Sequence, residues 1–175
     1  MTEQQLIKEA QQGATDCFTQ LVASYQLRLY SYLLGRCTHH QEADDVLQET
    51  FIKAYQYLSS YNPQWQFSTW LFTIARRTIG KYQAQYHNHQ PIDDENWVTK
   101  QDPFAVDREN IWQLIKNELN TKSYDVLWFF YVEQYSIKEI AQITQQSESW
   151  VKTNLHRSKM KLSNNSALEL MLEAH

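Results

Sequence analysis

Apolar residues recur at intervals of three and four along most of this chain, which is the spacing of α-helices with one buried face. The clearest stripe lies between residues 16 and 36. Glycine and proline number only three each, which suits long helices better than sheets and hairpins. The pattern therefore predicts an all-α protein. The members of the clearest stripe are Phe18, Leu21, Val22, Tyr25, Leu29, Tyr32 and Leu33.

Residues with capping chemistry predict where the first helices begin and end. Thr2 and Gln5 have the spacing of a capping box at the start of a first helix. Gly13 is a suitable residue to end that helix. Asp16 is the predicted N-cap of a second helix. That helix is expected to run to about Arg36, where the apolar stripe ends.

Two further helices complete the N-terminal half. A third helix is predicted over about residues 41–58, and the stretch SSYNPQWQF after it is predicted to be a loop because of its Ser, Asn and Pro residues. Either Ser68 or Thr69 can cap a fourth helix, TWLFTIARRTIGKYQAQY. Four helices predict one bundle-like domain, which we place at residues 1–88.

An acidic stretch separates this domain from a second one. Residues 90–109 contain two prolines and six acidic residues against two basic ones. We predict a linker over 89–106, with a new helix beginning near Asp107. Apolar spacing then predicts a second helical domain over 107–165, followed by a short tail over 166–175.

Composition favours a folded cytoplasmic protein. Hydrophobic residues make up 42% of the chain and aromatic residues 14%, enough for a buried core. No apolar run reaches the length of about 18 residues that suggests a membrane helix. The polar start MTEQQLIKEAQQG lacks the charged-then-apolar order of a signal peptide. We therefore expect no membrane insertion.

The stretch SESWVKTNLHRSKMKL, residues 147–162, is basic although the chain carries a net charge of −4. It follows a short predicted helix, the order found in a helix-turn-helix. Its apolar side can pack inward, and its polar side can then enter a DNA major groove, which is wide enough for one helix. The plainer interpretation is a solvated helix face. The candidate DNA contacts are Ser149, Lys152, Thr153, His156, Arg157 and Lys159.

The sequence has no recognisable catalytic or metal-binding motif. Cys37, His39 and His40 are close in sequence, but neither paired Cys residues at metal spacing nor Glu-x-x-His occurs. A nucleophile motif and a glycine-rich phosphate loop are also missing. We expect no cofactor and no enzyme activity, with a carboxylate and histidine metal site as the weakest alternative.

Two stretches taken together resemble the extracytoplasmic-function sigma factors of bacterial RNA polymerase. EADDVLQETFIKAYQYL followed by FSTWLFTIARR resembles sigma region 2, and SIKEIAQITQQSESWVKTNLHRSKMKL resembles region 4. The resemblance spans roughly residues 3–163, with only a short linker between the two regions. In sigma factors this connector runs toward the RNA path of the polymerase, which implies that its acidic residues mimic the charge of nucleic acid; a solvated tether is the competing interpretation. It implies an alternative sigma factor, a non-catalytic subunit that directs core polymerase to promoter DNA and is usually held inactive by an anti-sigma factor.

The resemblance implies a polymerase contact on the third helix. Asp45, Gln48 and Glu49 lie at positions i, i+3 and i+4, so they share one helix face. In sigma factors the matching residues bind an arginine-bearing coiled coil of the polymerase clamp, and the polymerase flap is a second expected contact. Arg–carboxylate pairs can be bidentate, which suits this face. A solvated acidic face is the competing interpretation.

The resemblance also implies a minus-10 promoter reader at the loop SSYNPQWQF and the helix after it. Tyr61, Asn62 and Trp65 offer aromatic faces and an amide for an unstacked base. Core packing is the competing interpretation for Trp65, and the favoured one for Phe67 and Trp70. Contacts to the DNA backbone and nearby bases are expected from Ser68, Thr69, Arg76, Arg77 and Lys81.

The basic helix is the implied minus-35 reader, although it departs from the family in detail. The turn at residues 144–146 has no glycine, so one residue there is expected to need an unusual backbone angle. Trp150 replaces a residue that is usually small, and Asn154 stands near a position where Arg is common. A stand-alone helix-turn-helix regulator, which would bind duplex DNA without polymerase, is the alternative function.

Overall fold

A computed structural model describes the backbone of residues 1–86 and 103–164, and the side chains of residues 1–85 and 111–164. The linker predicted over 89–106 lies outside the described residues as far as 102, and the predicted tail lies outside them entirely. The chain divides into two compact units, residues 1–91 and 92–175. Within the described ranges, no helix is both long and apolar enough to cross a membrane.

All regular structure in the described residues is helical, which confirms the predicted all-α class. A 3-10 turn at Leu58–Ser60 follows the third helix. The helices are α1 (Glu3–Gln11), α2 (Thr15–Arg36), α3 (His40–Tyr57), α4 (Phe67–Tyr86), α5 (Pro103–Glu118), α6 (Thr121–Tyr131), α7 (Ile137–Thr144) and α8 (Glu148–Leu162).

The first unit is built around α2. This helix packs against α1, α3 and α4, and α3 also packs against α4. Tyr32 of α2 is fully buried, and its ring lies edge-on to Phe72 of α4 with centroids 5.7 Å apart. Burial of such large aromatic side chains is a main source of stability in a small unit. Other fully buried members of this core are Leu29, Leu33, Ala43, Val46, Ala54, Ala75 and Ile79.

The ends of the first helices follow the prediction only in part. Thr2 and Gln5 form the predicted capping box. Gly13 follows α1 with a φ of 99°, a left-handed angle that favours glycine. The prediction that Asp16 caps α2 is wrong, because Ala14 occupies the cap and makes no side-chain hydrogen bond. Asp16 lies instead in the first turn, where its negative charge interacts favourably with the positive end of the helix dipole.

The residues considered for a metal site have structural roles. His39 caps α3, and its Nδ1 accepts a hydrogen bond from the Glu42 amide at 3.1 Å. The Nδ1 of His40 lies 3.1 Å from the Tyr30 hydroxyl oxygen, and Cys37 is buried. Among the side chains that the structure describes, no group of three or more His, Cys, Asp or Glu residues is placed to hold a metal ion.

Two helices begin earlier than the sequence predicts. α4 starts at Phe67, so Ser68 and Thr69 lie in its first turn and neither is the cap. α5 starts at Pro103 instead of near Asp107. Proline is well suited to the first position of a helix, where its missing N–H costs no hydrogen bond. The last residues of the predicted linker are therefore helical.

The second unit packs α8 against α6 and α7, with α5 contacting α6 and α8. α6 is buried almost all round, whereas α8 buries one side only. An aromatic cluster joins α5 to α6, because the Trp112 ring centroid lies 5.4 Å from Tyr124 and 4.8 Å from Trp128. The centre of the unit consists of Ile115, Val126, Leu127, Phe129, Ile140, Ile143 and Val151.

The turn between α7 and α8 contains a left-handed residue. Gln145 caps the end of α7 with φ 56° and ψ 43°. Its amide donates to the carbonyl oxygen of Gln142 at 3.3 Å, and the Gln146 amide donates to that of Ala141 at 3.0 Å. The prediction of an unusual backbone angle in this glycine-free turn is confirmed. Such a conformation costs a non-glycine residue roughly 1–2 kcal/mol.

Replacing Gln145 by glycine is therefore expected to stabilise the second unit. Glycine carries no Cβ to clash at this φ, although its greater freedom in the unfolded chain offsets part of the gain. We expect the free energy of unfolding to rise by about 0.5–1 kcal/mol, measured by urea unfolding. The control Gln142→Gly, inside α7, should lower it by about 1 kcal/mol. Equal losses from both variants would contradict strain at Gln145.

Candidate functional site

The three polar residues predicted on α3 share its exposed side. Asp45, Gln48 and Glu49 are all exposed, while the opposite side of α3 is buried against α2 and α4. The Nε2 of Gln41 donates to Asp45 Oδ1 at 3.1 Å, and Glu49 pairs with Lys53 at 3.0 Å. Because these contacts lie at the surface, both carboxylates remain available to a cationic partner.

Glu42 shows that not every carboxylate on α3 belongs to this surface. Its side chain is buried, and its Oε2 accepts hydrogen bonds from the Thr38 amide and hydroxyl, both at 2.7 Å. These bonds tie the start of α3 to the chain before it. Asp44, in contrast, is exposed beside Asp45 and adds a third carboxylate that the sequence analysis did not single out.

Tyr61, Asn62 and Trp65 form a compact loop between the 3-10 turn and α4. The Tyr61 hydroxyl donates to the carbonyl oxygen of Trp65 at 2.6 Å. The Trp65 amide donates to the carbonyl oxygen of Asn62 at 3.1 Å, and Asn62 Oδ1 accepts from the Gln64 amide at 3.0 Å. Asn62 is exposed, and Trp65 is half-buried. An amide and part of an indole ring thus face solvent on an internally bonded loop.

Aromatic packing anchors this loop to α4. The Tyr61 ring lies edge-on to Phe67 and to Trp70, with centroid distances of 5.4 and 5.5 Å. Phe67 is buried, as the core interpretation predicts, and Trp70 is half-buried. Burial, followed by the charge of Glu3, raises the pKa of the Tyr61 hydroxyl. Tyr61 therefore remains a neutral hydrogen-bond donor at physiological pH.

The basic residues of α4 reach solvent, whereas the polar residues at its start do not. Arg77 and Lys81 are exposed, and Arg76 is half-buried. Ser68 and Thr69 are only 5% and 0% exposed. The structure therefore does not support DNA contacts from Ser68 or Thr69.

The outward side of α8 contains the polar residues that the sequence predicted there. Val151, Leu155, Ser158 and Leu162 are buried, which fixes the orientation of the helix. The exposed residues are Ser149, Lys152, Thr153, His156, Arg157 and Lys159. Ser147 caps the helix by accepting a hydrogen bond from the Trp150 amide at 3.1 Å, so α8 begins at a defined point.

Asn154 and Lys159 of α8 make contacts to α6. The Nδ2 of Asn154 donates to the Ser123 hydroxyl oxygen at 3.1 Å, a contact between α8 and α6. Asn154 therefore has a structural role within the unit. The Nζ of Lys159 lies 5.9 and 5.3 Å from the ring centroids of Phe130 and Tyr131. This cation–π contact holds Lys159 at the flank of the exposed face.

Two family models match the chain, one in each unit. The model described as Sigma-70 region 2 matches residues 21–86, and the model described as Sigma-70, region 4 matches residues 109–162. The first range contains the acidic face of α3, the aromatic loop and the basic part of α4. The second contains α6, α7 and α8. Together the two ranges cover well over half of the chain.

Curated relatives and solved structures agree with these matches. RNA polymerase sigma factor YlaC of Bacillus subtilis is 28% identical, over 86% of this chain and 92% of the relative. ECF RNA polymerase sigma factor SigW of the same organism is 27% identical, over 87% and 90%. CnrH, solved with the cytosolic domain of CnrY, has a TM-score of 0.70 at 22% identity, covering 97% of this chain and 96% of that one. RpoE of Bartonella quintana, solved with the anti-sigma factor NepR, has a TM-score of 0.70 at 18% identity, covering 89% of this chain and 96% of RpoE. At these identities the structural likenesses show the fold.

Proposed function

The chain belongs to the extracytoplasmic-function sigma factors of the sigma-70 family, and we propose how its two units direct RNA polymerase to a promoter. The observation that carries the proposal is the presence of region 2 and then region 4 in a single chain. The first unit binds core polymerase and reads the minus-10 element, and the second reads the minus-35 element. The protein supplies specificity and has no catalytic site of its own.

The exposed side of α3 is the proposed contact with the polymerase clamp. Asp45 and Glu49 lie one helical turn apart, with Gln48 between them, so they can meet a pair of guanidinium groups on one partner. The pair between Glu49 and Lys53 has exposed fractions of 49% and 25%. Such a surface pair contributes at most about 1 kcal/mol, so a partner arginine can displace the lysine.

The aromatic loop and α4 are the proposed minus-10 reader. An unstacked base can stack on the accessible part of Trp65 and bond the Asn62 amide, and such stacking is worth about 1–3 kcal/mol per base. Arg76, Arg77 and Lys81 supply cations for phosphates beyond the loop. Lys81 lies about 21 Å along α4 from its first residue, so the cations can follow the DNA backbone over several nucleotides.

The outward side of α8 is the proposed minus-35 reader. Lys152, Thr153 and His156 are one turn apart or less and are exposed opposite the buried stripe of the helix. This is the position of base-contacting residues in a recognition helix. Ser149 lies near the N-terminus of α8, while Arg157 and Lys159 lie at its flank and suit phosphate contacts.

A protein that occupies the polymerase-binding surface is the proposed regulator. The solved RpoE of Bartonella quintana is bound to the anti-sigma factor NepR, and its fold matches this chain over most of its length. We propose an anti-sigma partner here by that likeness. Core polymerase as a partner also implies that the protein works in the cytoplasm. Affinity purification from cells tests for a stoichiometric partner that competes with core polymerase.

Run-off transcription with core polymerase on genomic DNA fragments tests the proposed function directly. We expect discrete start sites that require both core polymerase and this protein. Mapping those starts would also give the promoter sequence. Gel shifts on the same promoters should require core polymerase. A strong shift with the protein alone, together with no new starts, would favour the stand-alone helix-turn-helix regulator instead.

A further inference from the structure

α1 contacts the base of the aromatic loop, although the region 2 match begins only at residue 21, within α2. The Nε2 of Gln11 donates a hydrogen bond to the carbonyl oxygen of Leu58 at 2.9 Å. The Tyr61 amide donates to the same oxygen at 3.1 Å. A single carbonyl oxygen therefore joins the end of α1 to the first residue of the loop.

The contact at Leu58 continues through Tyr61 to the exposed part of the loop. The Tyr61 hydroxyl holds the Trp65 carbonyl oxygen at 2.6 Å, and its ring packs against Phe67 and Trp70. A shift of the Tyr61 backbone would therefore also move the backbone of Trp65. Trp65 and Asn62 are the residues proposed above to capture an unstacked base, so the orientation of both depends on this connection.

The N-terminal end of α1 reaches the same aromatic residues. Glu3 accepts a hydrogen bond from the Tyr25 hydroxyl, and the Tyr25 ring lies edge-on to Phe67 at 5.6 Å. The charge of Glu3 also contributes to the raised pKa of Tyr61. Ile7 and Ala10 are both 5% exposed, so α1 is anchored on the unit by its own apolar face. A change at Gln11 alone should therefore leave α1 in place.

We propose that α1 positions the minus-10 loop, with Gln11 as the positioning residue that sets the loop's discrimination between bases. The proposal rests on the proposed function of the loop. A bond that served only to pack α1 on the unit would affect stability without changing base preference. A misplaced capture surface would instead lose selectivity first, because stacking and hydrogen bonding need defined geometry.

The sharpest variant is Gln11→Glu, which keeps the size of the side chain but replaces the donor by a carboxylate. The carboxylate cannot donate to the Leu58 carbonyl oxygen and repels it. Gln12→Glu is the matched control, because it makes the same charge change one residue later at an exposed position. Gln11→Lys restores a donor and should rescue the effect, which separates lost positioning from lost folding.

The first measurement is hydrogen exchange of the Tyr61 and Trp65 amides, which does not depend on transcription. We expect Gln11→Glu to speed their exchange by about tenfold, while Gln12→Glu and Gln11→Lys stay within about twofold of the parent protein. Unchanged exchange in Gln11→Glu would overturn the proposal whatever the protein does at promoters. Faster exchange throughout the first unit would also overturn it, since the bond would then serve general stability.

The second measurement is transcription from templates that differ by one base in the minus-10 element. We expect Gln11→Glu to reduce the ratio between preferred and substituted templates by about fivefold to tenfold, with core binding unchanged. A preserved ratio beside normal transcription would overturn the proposal and leave the proposed function standing. If the parent protein gave no promoter-specific starts, the proposed function would fail, and the role in base selection would fail with it.

Discussion

Reversing both acids on the exposed side of α3, by Asp45→Arg with Glu49→Arg, is expected to weaken binding of core RNA polymerase by at least about 100-fold. Each change removes a carboxylate from the proposed contact and places a cation against partner arginines. Like charges brought together at an interface cost several kcal/mol, so the two losses reinforce each other. Competition binding against a labelled parent protein measures the effect.

The same double variant should keep its fold. Both positions are exposed, and the buried side of α3 is formed by other residues. The changes remove the hydrogen bond from Gln41 and the pair with Lys53, and they create two like-charge pairs on the helix, between positions 45 and 49 and between position 49 and Lys53. Surface terms of this kind amount to a few tenths of a kcal/mol each. Urea unfolding should therefore show a loss below about 1 kcal/mol.

A second double variant controls for the change in net charge. Glu9→Arg with Asp16→Arg makes the same change in net charge at two other exposed acids of the first unit. This control should bind core polymerase within a few-fold of the parent protein. Reversing the clamp arginines to Glu on the polymerase should restore binding of the α3 variant. Full binding by the α3 variant itself would place the polymerase contact elsewhere.

Helical periodicity was sufficient to predict the helices of the first unit, because each of them buries one side against its neighbours. The predicted end of α2 at Arg36 is the observed one, and the predicted ends of α3 lie within one residue of those observed. Helix starts were harder to predict, since a good capping residue close to the start does not have to be the cap. Asp16 shows this, because α2 begins at Thr15, one residue before it, with Ala14 as the cap.

The site could be predicted to the extent that it lies on exposed helix faces. Lys152, Thr153 and His156 are exposed because they lie on the side of α8 opposite its buried stripe. Ser68 and Thr69 were also expected to be accessible to DNA, but both are buried, because small hydroxyl residues can be accommodated on the buried side of a helix. The buried stripe of α4 includes Ser68, Leu71, Phe72 and Ala75. The helical spacing of these four residues could therefore have predicted that Ser68 is buried. The contact of Gln11 with Leu58 joins residues 47 apart, and no local pattern predicts it.

The distribution of charge explains how an acidic protein can serve as a DNA reader. Asp44, Asp45 and Glu49 are exposed on α3, whereas α8 presents Lys152 and Arg157 with a single acid, Glu148, in its first turn. A few cations give weak binding to DNA, since affinity grows with the number of phosphates neutralised. Core polymerase would supply the remaining affinity, so α8 need only discriminate between sequences.

Replacing Lys152 by alanine should therefore reduce discrimination more than it reduces general DNA affinity. Lys152 lies on the outward side of α8, one turn before His156, in the position of a residue that contacts base edges. One such contact is worth about 1–3 kcal/mol of discrimination.

We expect transcription from the preferred minus-35 sequence to fall by about tenfold when promoter DNA is limiting, with little change on templates altered at the contacted base. Lys122→Ala, at an exposed position of α6, makes the same charge change and should affect all templates equally and weakly. An equal loss on every minus-35 variant would show that Lys152 contacts a phosphate and not a base, because phosphate contacts carry no sequence information.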